Sequence, residues 1–495
     1  MTVTAIHQAP LPLPSPSPSP ANQPQVDDEP ILVLADNADV KIEDVLEPIT
    51  INGVKYIGTD EVRITTKNKA DQIRIHAGAD GKINANVNGM FYELPFDQGG
   101  PNRSLVIRTN GGDDKVIVDP DVNVDVYVST GDGDDRVTAQ GSGYTRVFGG
   151  AGNDFIKLGS GKGLAFGEDG DDLMLAGTGN AVMSGGNGND RMYAGFGPAN
   201  RLLHISGDAG SDRLYGGAGK VVLNGGLGDD TLVGHKRTTM YTGNGNDKVY
   251  AYDADDRIYA KKTDQVHNQK DARITETQPS NAGRRAFNIV GSAAFIARVE
   301  DKLEELRGSP AGQKVLEEMD KLADKLGSPV VIASQPEHGT LDTYNFGPFL
   351  MPSPPNGQHY WGASAGYIVN DVPGAPSTQA KITLASNHFI GEHGLTPLVS
   401  FFHEVIHAYH GATGTRLPGE QPVINSNGTP LVWDAKVVQE PINELQTVGL
   451  SNLGTPFDFD NDPSTPPTTV HPYPFYENAL REEMDVPLRE RYTPI

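Results

Sequence analysis

Two histidines and a glutamate in the last quarter of the sequence form the pattern that most directly indicates chemistry. His403 and His407 stand four residues apart, and Glu404 follows the first of them. On a helix this spacing turns the two imidazoles only about 40° from each other, so both can reach one ion. A carboxylate beside them can take the proton from a zinc-bound water. The pattern therefore predicts a zinc site in which Glu404 is the general base.

A third protein ligand is needed, because catalytic zinc sites usually combine three protein ligands with one open position. The chain has no cysteine, so this ligand has to be a histidine or a carboxylate. Glu444 is the favoured candidate, and Glu440 is its rival on the same predicted helix. The positions that would complete a metzincin motif hold His410 and Thr413 instead of Gly and His, which argues against a serralysin-type site.

The surroundings of Glu444 are similar to those of a known zinc ligand. Asn443, Glu444 and Thr447 match the Asn-Glu-x-x-Ser/Thr helix of gluzincins such as thermolysin, in which the Glu is the third ligand. The resemblance implies that Glu444 joins the two histidines as a zinc ligand. The alternative is that Glu440 and Glu444 are ordinary carboxylates on the surface of a helix.

A second resemblance lies at the C-terminal end. Residues 477–483 have the pattern Glu-Asn-x-x-Arg-x-Glu, and Arg489 and Tyr492 follow, three residues apart. With the His-Glu-x-x-His pattern, the region from about residue 290 onward resembles the NleD-type zinc effector proteases. The spacing of Arg489 and Tyr492 is also similar to that in clostridial neurotoxin light chains. This implies that both side chains stabilise the oxyanion of the scissile carbonyl; the alternative is an ordinary surface pair.

The effector resemblance also implies a biological setting. Proteases of this type act inside eukaryotic cells, and NleD relatives cleave MAP kinases, so the expected partner is a protein substrate, such as a host signalling kinase. Delivery by a type III secretion system is the corresponding expectation. Residues 1–30, rich in Ala, Pro and Ser, are predicted to be disordered. They are either a plain flexible tail or an uncleaved export signal.

The elements that have to position the zinc site form a mixed pattern. Thr396 and Pro397 supply a cap and a first-turn proline for the helix that carries the histidines. Further periodic segments predict helices at 293–306 and 311–326 and strands at 330–333, 367–369 and 381–384. This order predicts an α+β domain of the zincin type.

A repeat occupies the middle of the chain from about residue 109. Its unit is Gly-Gly-x-Gly-x-Asp followed by a short apolar strand, a weaker Gly-containing loop and a second strand. This resembles the RTX calcium-binding parallel β-roll, and the resemblance implies calcium between stacked loops along one edge. The alternative is a metal-free solenoid with Asn and Asp ladders. The candidate calcium ligands are Asp135, Asp154, Asp172, Asp190, Asp212, Asp230 and Asp247.

The predicted fold is therefore multidomain: a β-solenoid of the RTX-like parallel β-roll type, followed by an α+β zincin-type metallopeptidase domain. The predicted segments are a disordered region at 1–30, the solenoid at 31–260, a linker at 261–290 and the metallopeptidase domain at 291–495. A formal net charge of −24 argues against nucleic acid and anionic membranes as partners. No apolar stretch is long enough for a membrane span.

Three functions are compatible with these patterns. The leading one is a zinc-dependent metalloendopeptidase, secreted by a bacterium and acting on host proteins. The second is an extracellular calcium-dependent RTX protease, although the repeats precede the catalytic region, which reverses the usual order of such proteins. The third is a non-catalytic calcium-binding scaffold, against which the presence of Glu404 beside both histidines argues.

Overall fold

The structure is a computed structural model that describes residues 31–51, 54–96, 103–334, 343–345, 363–384, 396–424, 429–433 and 436–491. Its contacts divide the chain into two units, which meet in sequence between Glu276 and Thr277. Residues 1–30, predicted to be disordered, lie outside the described residues. Among those that are described, no helix is long and apolar enough to span a membrane.

The first unit consists of strands. In chain order they are β1 Ile31–Asp36, β2 Val40–Ile51, β3 Val54–Thr66, β4 Gln72–Ala77, β5 Ile83–Val87, β6 Met90–Glu93, β7 Ser104–Arg108, β8 Lys115–Val118, β9 Asp125–Asp132, β10 Arg136–Ala139, β11 Thr145–Ala151, β12 Phe155–Lys157 and β13 Gly163–Asp169. They continue as β14 Leu173–Leu175, β15 Ala181–Asn187, β16 Arg191–Tyr193, β17 Leu202–Ala209, β18 Arg213–Tyr215, β19 Lys220–Asn224, β20 Thr231–Val233, β21 Thr238–Tyr241, β22 Lys248–Ala251, β23 Arg257–Lys261, β24 Gln265–Asn268 and β25 Arg273–Thr277.

These strands wind into a β-solenoid. From β7 onward, odd-numbered strands pair in parallel in one sheet and even-numbered strands, from β8, pair in parallel in the other, so each coil gives one strand to each sheet. Among the described residues of this unit, antiparallel hairpins occur only before β7, where β1 to β3 and β4 to β6 begin the two sheets. Each three-residue strand has one buried apolar residue between two less buried ones. This is the alternation expected of a strand that turns one face to the core.

In the core of the solenoid, equivalent apolar residues of successive coils lie directly above each other. In the even-numbered sheet one row places buried apolar side chains directly above each other: Val137, Ile156, Met174, Met192, Leu214, Leu232 and Val249. The matching row of the odd-numbered sheet is Val147, Ala165, Met183, Ile205, Leu223, Met240 and Ile258. The repeat period fixes this register, because a slip of one residue would expose the whole row.

Glycine is required in the tight loops of the repeat. Gly150 and Gly152 have φ of 115° and 132°. A Cβ on either one would lie 2.0 Å from a carbonyl oxygen of the preceding coil. Other side chains fit neither the backbone angle nor the space, so the motif glycines set both the turn and the distance between coils.

One coil is longer than its neighbours and carries a buried arginine. The aspartates on either side of it are 22 residues apart, against 18 in the coils before and after. Arg201, in the insertion, donates to the carbonyl oxygens of Ala218 at 2.6 Å, Gly177 at 2.5 Å, and both Ala194 and Gly195 at 2.7 Å. Its guanidinium thus satisfies carbonyl groups at the edge where the repeat motif is weak.

One segment, where the first unit ends in the sequence, differs from the expectations. Residues 261–290 are predicted to be a linker, yet they contain β24, β25 and a strand of the next unit. The reason is that a terminal edge strand needs few apolar side chains and so resembles a polar linker. The domain boundaries themselves stay predictions.

The second unit contains helices and short strands. Its elements are β26 Phe287–Val290, α1 Ala293–Gly308, α2 Pro310–Leu326, β27 Val330–Ser334, β28 Thr343–Asn345, β29 Lys381–Leu384, α3 Pro397–Thr413, β30 Glu420–Pro422, β31 Val432–Trp433, β32 Lys436–Val437, β33 Gln439–Pro441, α4 Ile442–Val448 and α5 Glu477–Glu483. The order in the main sheet is β26-β27-β29-β28, of which only the last pairing is antiparallel. The predicted solenoid followed by a helix-and-strand domain is confirmed.

Helix ends in this unit follow the sequence signals. Ser292 and Ser309 cap α1 and α2 by accepting a backbone N–H through their side chains. Gly327 ends α2 in the left-handed conformation. The predicted strand at 367–369 is absent: Tyr367 and Val369 form only isolated bridges. This short apolar run is therefore a bridged loop.

Candidate metal centres

The helix that carries the histidines, α3, is buried almost all round. Thr396 caps it by accepting the N–H of Val399 through Oγ1, and Gly414 ends it with φ of 71°. Apolar side chains from Leu398 to Ala408 fill its faces, and His403, Glu404 and His407 are each no more than 2% exposed. Burial of so many ionisable groups on one helix is costly unless partners or a metal ion satisfy them.

Three donor atoms from two helices converge beside α3. The Nε2 atoms of His403 and His407 lie 3.0 Å apart. Glu444 Oε2, from α4, lies 3.0 Å from His407 Nε2 and 3.5 Å from His403 Nε2. Ligand atoms that share a tetrahedral zinc ion at about 2.0–2.1 Å are roughly 3.3 Å apart. The spacing and chemistry of these three atoms therefore fit zinc.

Residues around Glu444 explain why its sequence context matters. Asn443 Nδ2 donates to Glu444 Oε1 at 3.2 Å, which orients the carboxylate. Thr447 Oγ1 lies 3.2 Å from His407 Nδ1 and 3.3 Å from His410 Nδ1. A partner at Nδ1 leaves Nε2 of His407 to face the cluster, as a metal-binding histidine requires. The Asn-Glu-x-x-Thr segment therefore orients both Glu444 and His407.

A second carboxylate contacts the cluster from α5. Glu477 Oε2 lies 2.7 Å from His403 Nδ1, and Arg489 Nη1 is 3.1 Å from the same oxygen. Arg481 Nε donates to the other oxygen at 2.6 Å. Burial alone would raise the pKa of Glu477, but the two guanidinium groups and His403 hold it well below its usual range. Glu477 is thus an ionised carboxylate that orients His403, the arrangement found behind many zinc-binding histidines.

The two histidines have opposite protonation tendencies without a metal. Burial lowers the pKa of His403, but its hydrogen bonds with Glu444 and Glu477 outweigh this and raise the pKa to about 9. Burial also lowers the pKa of His407, and there it prevails over the attraction of Glu444. Protonation of His403 and metal binding are therefore alternatives at this cluster, because only neutral imidazole binds metal.

The other predicted site residues lie as follows. Glu404 is buried in α3, next to His403. Glu440 lies in β33 rather than on the helix of Glu444, and its Oε1 accepts from Gln421 at 3.4 Å. Arg489 contacts Glu477, behind His403. Tyr492 lies outside the described residues.

Glu477 is the residue that reasoning from the sequence missed. Its segment is recognisable in the sequence only as part of a family resemblance, which implies no role for the glutamate. The sequence shows Glu477 and Arg481 four residues apart, but the burial of both charges is visible only in the folded chain. Buried charges of this kind need partners, which points to a structured polar site.

In the solenoid, aspartates of successive coils form a hydrogen-bonded ladder. From Asp71 to Asp247, each backbone N–H donates to Oδ1 of the next aspartate at 2.7–3.2 Å. The predicted calcium ligands all belong to it. Within the described residues, the second carboxylate oxygen, Oδ2, is buried without a hydrogen-bond partner in every ladder aspartate before Asp247: Asp71, Asp114, Asp135, Asp154, Asp172, Asp190, Asp212 and Asp230.

The unpartnered oxygens face backbone carbonyls. A Cβ on Gly167 would lie 1.8 Å from Asp172 Oδ2 and 2.6 Å from the carbonyl oxygen of Gly185, so these oxygens border one small space. Carboxylate and carbonyl oxygens are the ligands that calcium prefers. Burial, opposed by the ladder hydrogen bonds, raises the pKa of Asp172 to about 8 and that of Asp212 to about 9. The ladder therefore fits a line of cations.

Two family models match the chain. Residues 283–492 match the Peptidase_M91 family, described as an effector protein. The RTX calcium-binding nonapeptide repeat matches in four copies, at residues 141–162, 166–198, 206–236 and 238–262. Comparisons with curated proteins and with solved structures gave no match. The two matches confirm the suspected combination of an effector-protease region with RTX-like repeats.

Proposed function

We propose, from the premise that residues 283–492 form a peptidase domain of the Peptidase_M91 effector family, that this chain is a zinc-dependent metalloendopeptidase. The observation that carries the proposal is the buried convergence of His403, His407 and Glu444, whose donor atoms lie within 4.8 Å of one another. The name of the family indicates a peptidase, and its description, an effector protein, states no metal. The donor set, two imidazoles and one carboxylate with no cysteine in the chain, supports zinc as that metal.

Each side chain has a defined task in the proposed reaction. Zinc held by the three ligands would supply a Lewis acid that makes water a nucleophile at neutral pH. Glu404 takes the proton from the attacking water and passes it to the leaving amine. Arg489 and Tyr492 are the proposed partners of the oxyanion. Glu477 keeps His403 oriented and holds the Arg489 guanidinium next to this ligand.

We further propose that the substrate is a protein of a host cell, such as a MAP kinase or another signalling protein. The effector description of the family supports action after secretion, and delivery by a type III system is the route we propose. The proposed layout keeps the solenoid at 31–260, a connecting segment at 261–290 and the peptidase at 291–495. The RTX repeats favour one alternative, in which calcium binding by the solenoid is the main function and the C-terminal domain is inactive.

The first test compares Glu444→Gln with Glu440→Gln. We expect the purified native chain and Glu440→Gln to hold about one zinc ion per chain, and Glu444→Gln to lose it. The reason is that Glu444 Oε2 is 3.0 Å from His407 Nε2, whereas Glu440 is in a strand and contacts Gln421. Elemental analysis after zinc is offered and excess removed measures this directly.

The results separate the two proposed functions. Zinc loss in Glu440→Gln but not Glu444→Gln would contradict the assigned third ligand. A native chain that holds calcium but takes up no zinc would overturn the catalytic proposal and favour the calcium-binding scaffold.

A second test concerns the orienting carboxylate. We expect Glu477→Gln to weaken zinc binding about 10- to 100-fold, because a neutral amide no longer supports His403 as a ligand. Competition with a chromogenic zinc chelator measures the affinity. Glu482→Gln, an exposed change on the same helix α5, is the matched control and should bind zinc like the native chain. Equal affinities in the two variants would show that Glu477 has no part in metal binding.

A further inference from the structure

The Oδ2 atoms at the C-terminal end of the aspartate ladder have a partner that those in the middle of the ladder lack. In the coils from Asp154 to Asp230 the second carboxylate oxygen is buried and unpartnered. At the C-terminal end this no longer holds for Asp247, the last aspartate of the motif, or for Asp264, which accepts the N–H of Asp247 in the next coil. Both of their Oδ2 atoms contact the side chain of Lys261.

The ammonium group of Lys261 lies in a cage of oxygen atoms. Its Nζ is 2.8 Å from Asp247 Oδ2 and 3.2 Å from Asp264 Oδ2. It also donates to the carbonyl oxygen of Gly243 and lies 3.4 Å from Thr242 Oγ1. Its side chain is only 5% exposed. Two carboxylates, a carbonyl and a hydroxyl are hard oxygen ligands of the kind that surround calcium in proteins.

The position of this cage in the repeat is equivalent to that of the unpartnered oxygens. Thr242 and Gly243 begin the last motif loop, as Gly225 and Gly226 begin the loop before it. In that earlier loop, a Cβ on Gly225 would lie 2.4 Å from Asp230 Oδ2 and 2.5 Å from the carbonyl oxygen of Thr242. In the last motif loop, the equivalent carboxylate oxygen is Asp247 Oδ2, and the loop begins with Thr242 and Gly243. The side chain of Lys261 contacts all three residues.

We propose that the Lys261 ammonium is a built-in cation that takes the place of calcium in the last coil of the solenoid. The C-terminal end of the ladder is then neutralised by the chain itself and stays folded without calcium. The physical reason is that an ion between stacked loops takes oxygen atoms from both. The coil beyond the last loop carries no motif loop, so fewer than the usual number of about six to eight oxygens surround an ion there, and calcium binds at this position only when the lysine is absent. A lysine from the next coil needs fewer ligands and brings one positive charge.

This arrangement gives the solenoid a calcium-independent cap. Coils with unpartnered carboxylates need a cation before they can stack stably, since buried uncompensated charge is strongly destabilising. The coil at Lys261 has its cation in every calcium concentration. We therefore infer that calcium-loaded coils stack onto this end, and that the number of bound calcium ions is one fewer than the number of stacked loop pairs would suggest.

The test is the calcium stoichiometry and the calcium-free stability of Lys261→Met in the full chain. Methionine keeps the length of the side chain and removes the charge. In EGTA we expect the melting midpoint of the solenoid to fall by about 10 °C relative to the native chain. In calcium we expect most of this loss to be recovered and one additional ion to bind, measured by equilibrium dialysis. Lys262→Met, an exposed neighbour, is the matched control and should change neither quantity.

A second pair of variants leaves Lys261 in place. Asp264→Asn should bind as many calcium ions as the native chain, because the Lys261 ammonium already occupies the cation position beside this residue. Asp230→Asn, in a coil with an unpartnered oxygen, should bind one ion fewer. The proposal fails if Asp264→Asn also loses an ion, or if Lys261→Met melts like Lys262→Met in EGTA. It also fails if Lys261→Met binds no additional calcium, which would make the lysine an ordinary buried ion pair.

Discussion

Glu404→Gln is expected to lower the rate of substrate cleavage by roughly a thousandfold, within the range that a general base contributes, while zinc stays bound. The glutamine keeps the size of the side chain but cannot accept the proton of the attacking water. The zinc ligands proposed here are His403, His407 and Glu444, so the metal content should not change. This combination, full zinc and almost no turnover, separates a role in proton transfer from a role in holding the metal.

The measurement does not require a known substrate. Native chain and Glu404→Gln are each incubated with lysate of eukaryotic cells, and new protein N-termini are quantified by mass spectrometry. Glu317→Gln, on the exposed side of α2, serves as the matched control and should give the native set of N-termini. If Glu404→Gln produced the same cleavages at the native rate, the proposed base would be wrong. New N-termini in a MAP kinase would identify the proposed substrate class.

The core of the candidate metal centre was predictable because its signal is local. Two histidines four apart on a helix share a face whatever the rest of the chain does, and the caps Thr396 and Pro397 placed that helix correctly. Glu444 was predictable from a short motif whose parts prove to have contacts of their own: Asn443 orients the carboxylate, and Thr447 contacts His407.

The remaining features depended on tertiary contacts that no short pattern records. Glu477 reaches His403 across 74 residues, and only the folded chain brings α5 to α3. The expectation that Glu440 shares a helix with Glu444 was wrong because the helix begins only at Ile442. Proline at 441 suits the residue before a first turn, and β33 ends there.

The solenoid shows the same division between local and non-local information. Its coils were predictable because the period of the motif recurs, and each apolar residue has an equivalent in the next coil. Lys261 and Arg201 were not, since a lysine in a polar segment is normally read as a solvated charge. In the structure both side chains are buried. Lys261 neutralises a carboxylate of the repeat, and Arg201 donates hydrogen bonds to its carbonyl oxygens. A buried charged side chain therefore occurs where the repeat is irregular, at the longer coil and after the last motif loop.

Without calcium, the solenoid is expected to become less stable as the pH rises from about 5 to about 9, the reverse of the usual behaviour of buried, paired carboxylates. Burial raises the pKa of Asp154 and Asp190 to about 7, of Asp172 and Asp230 to about 8, and of Asp212 to about 9. A carboxyl whose pKa is higher in the folded state favours folding while it is protonated. That contribution is complete below the pKa of the unfolded chain, near 3.8, and is lost as the pH passes the folded value.

Calcium should reverse this trend. The ion binds ionised carboxylates, so its stabilising effect grows with pH as the protons leave. Each site contributes about 2.7 kcal/mol when free calcium is a hundredfold above its dissociation constant. Several sites together should therefore raise the melting midpoint at pH 8 by more than any single substitution discussed above. The midpoint in EGTA should be highest near pH 5, and the midpoint in calcium should be highest near pH 8.

The two units can be followed separately in one sample. Among the described residues, all α-helices belong to the C-terminal unit, so the helical signal in circular dichroism reports its unfolding. Circular dichroism in the β-sheet region mainly follows the solenoid. Asp190→Asn should weaken both the pH trend and the effect of calcium, whereas Asp255→Asn, an exposed change, should leave them intact. A calcium-free midpoint that rises steadily from pH 5 to pH 9 would mean that the aspartate ladder is ionised and stable without a cation. The unpartnered oxygens would then have no role in calcium binding.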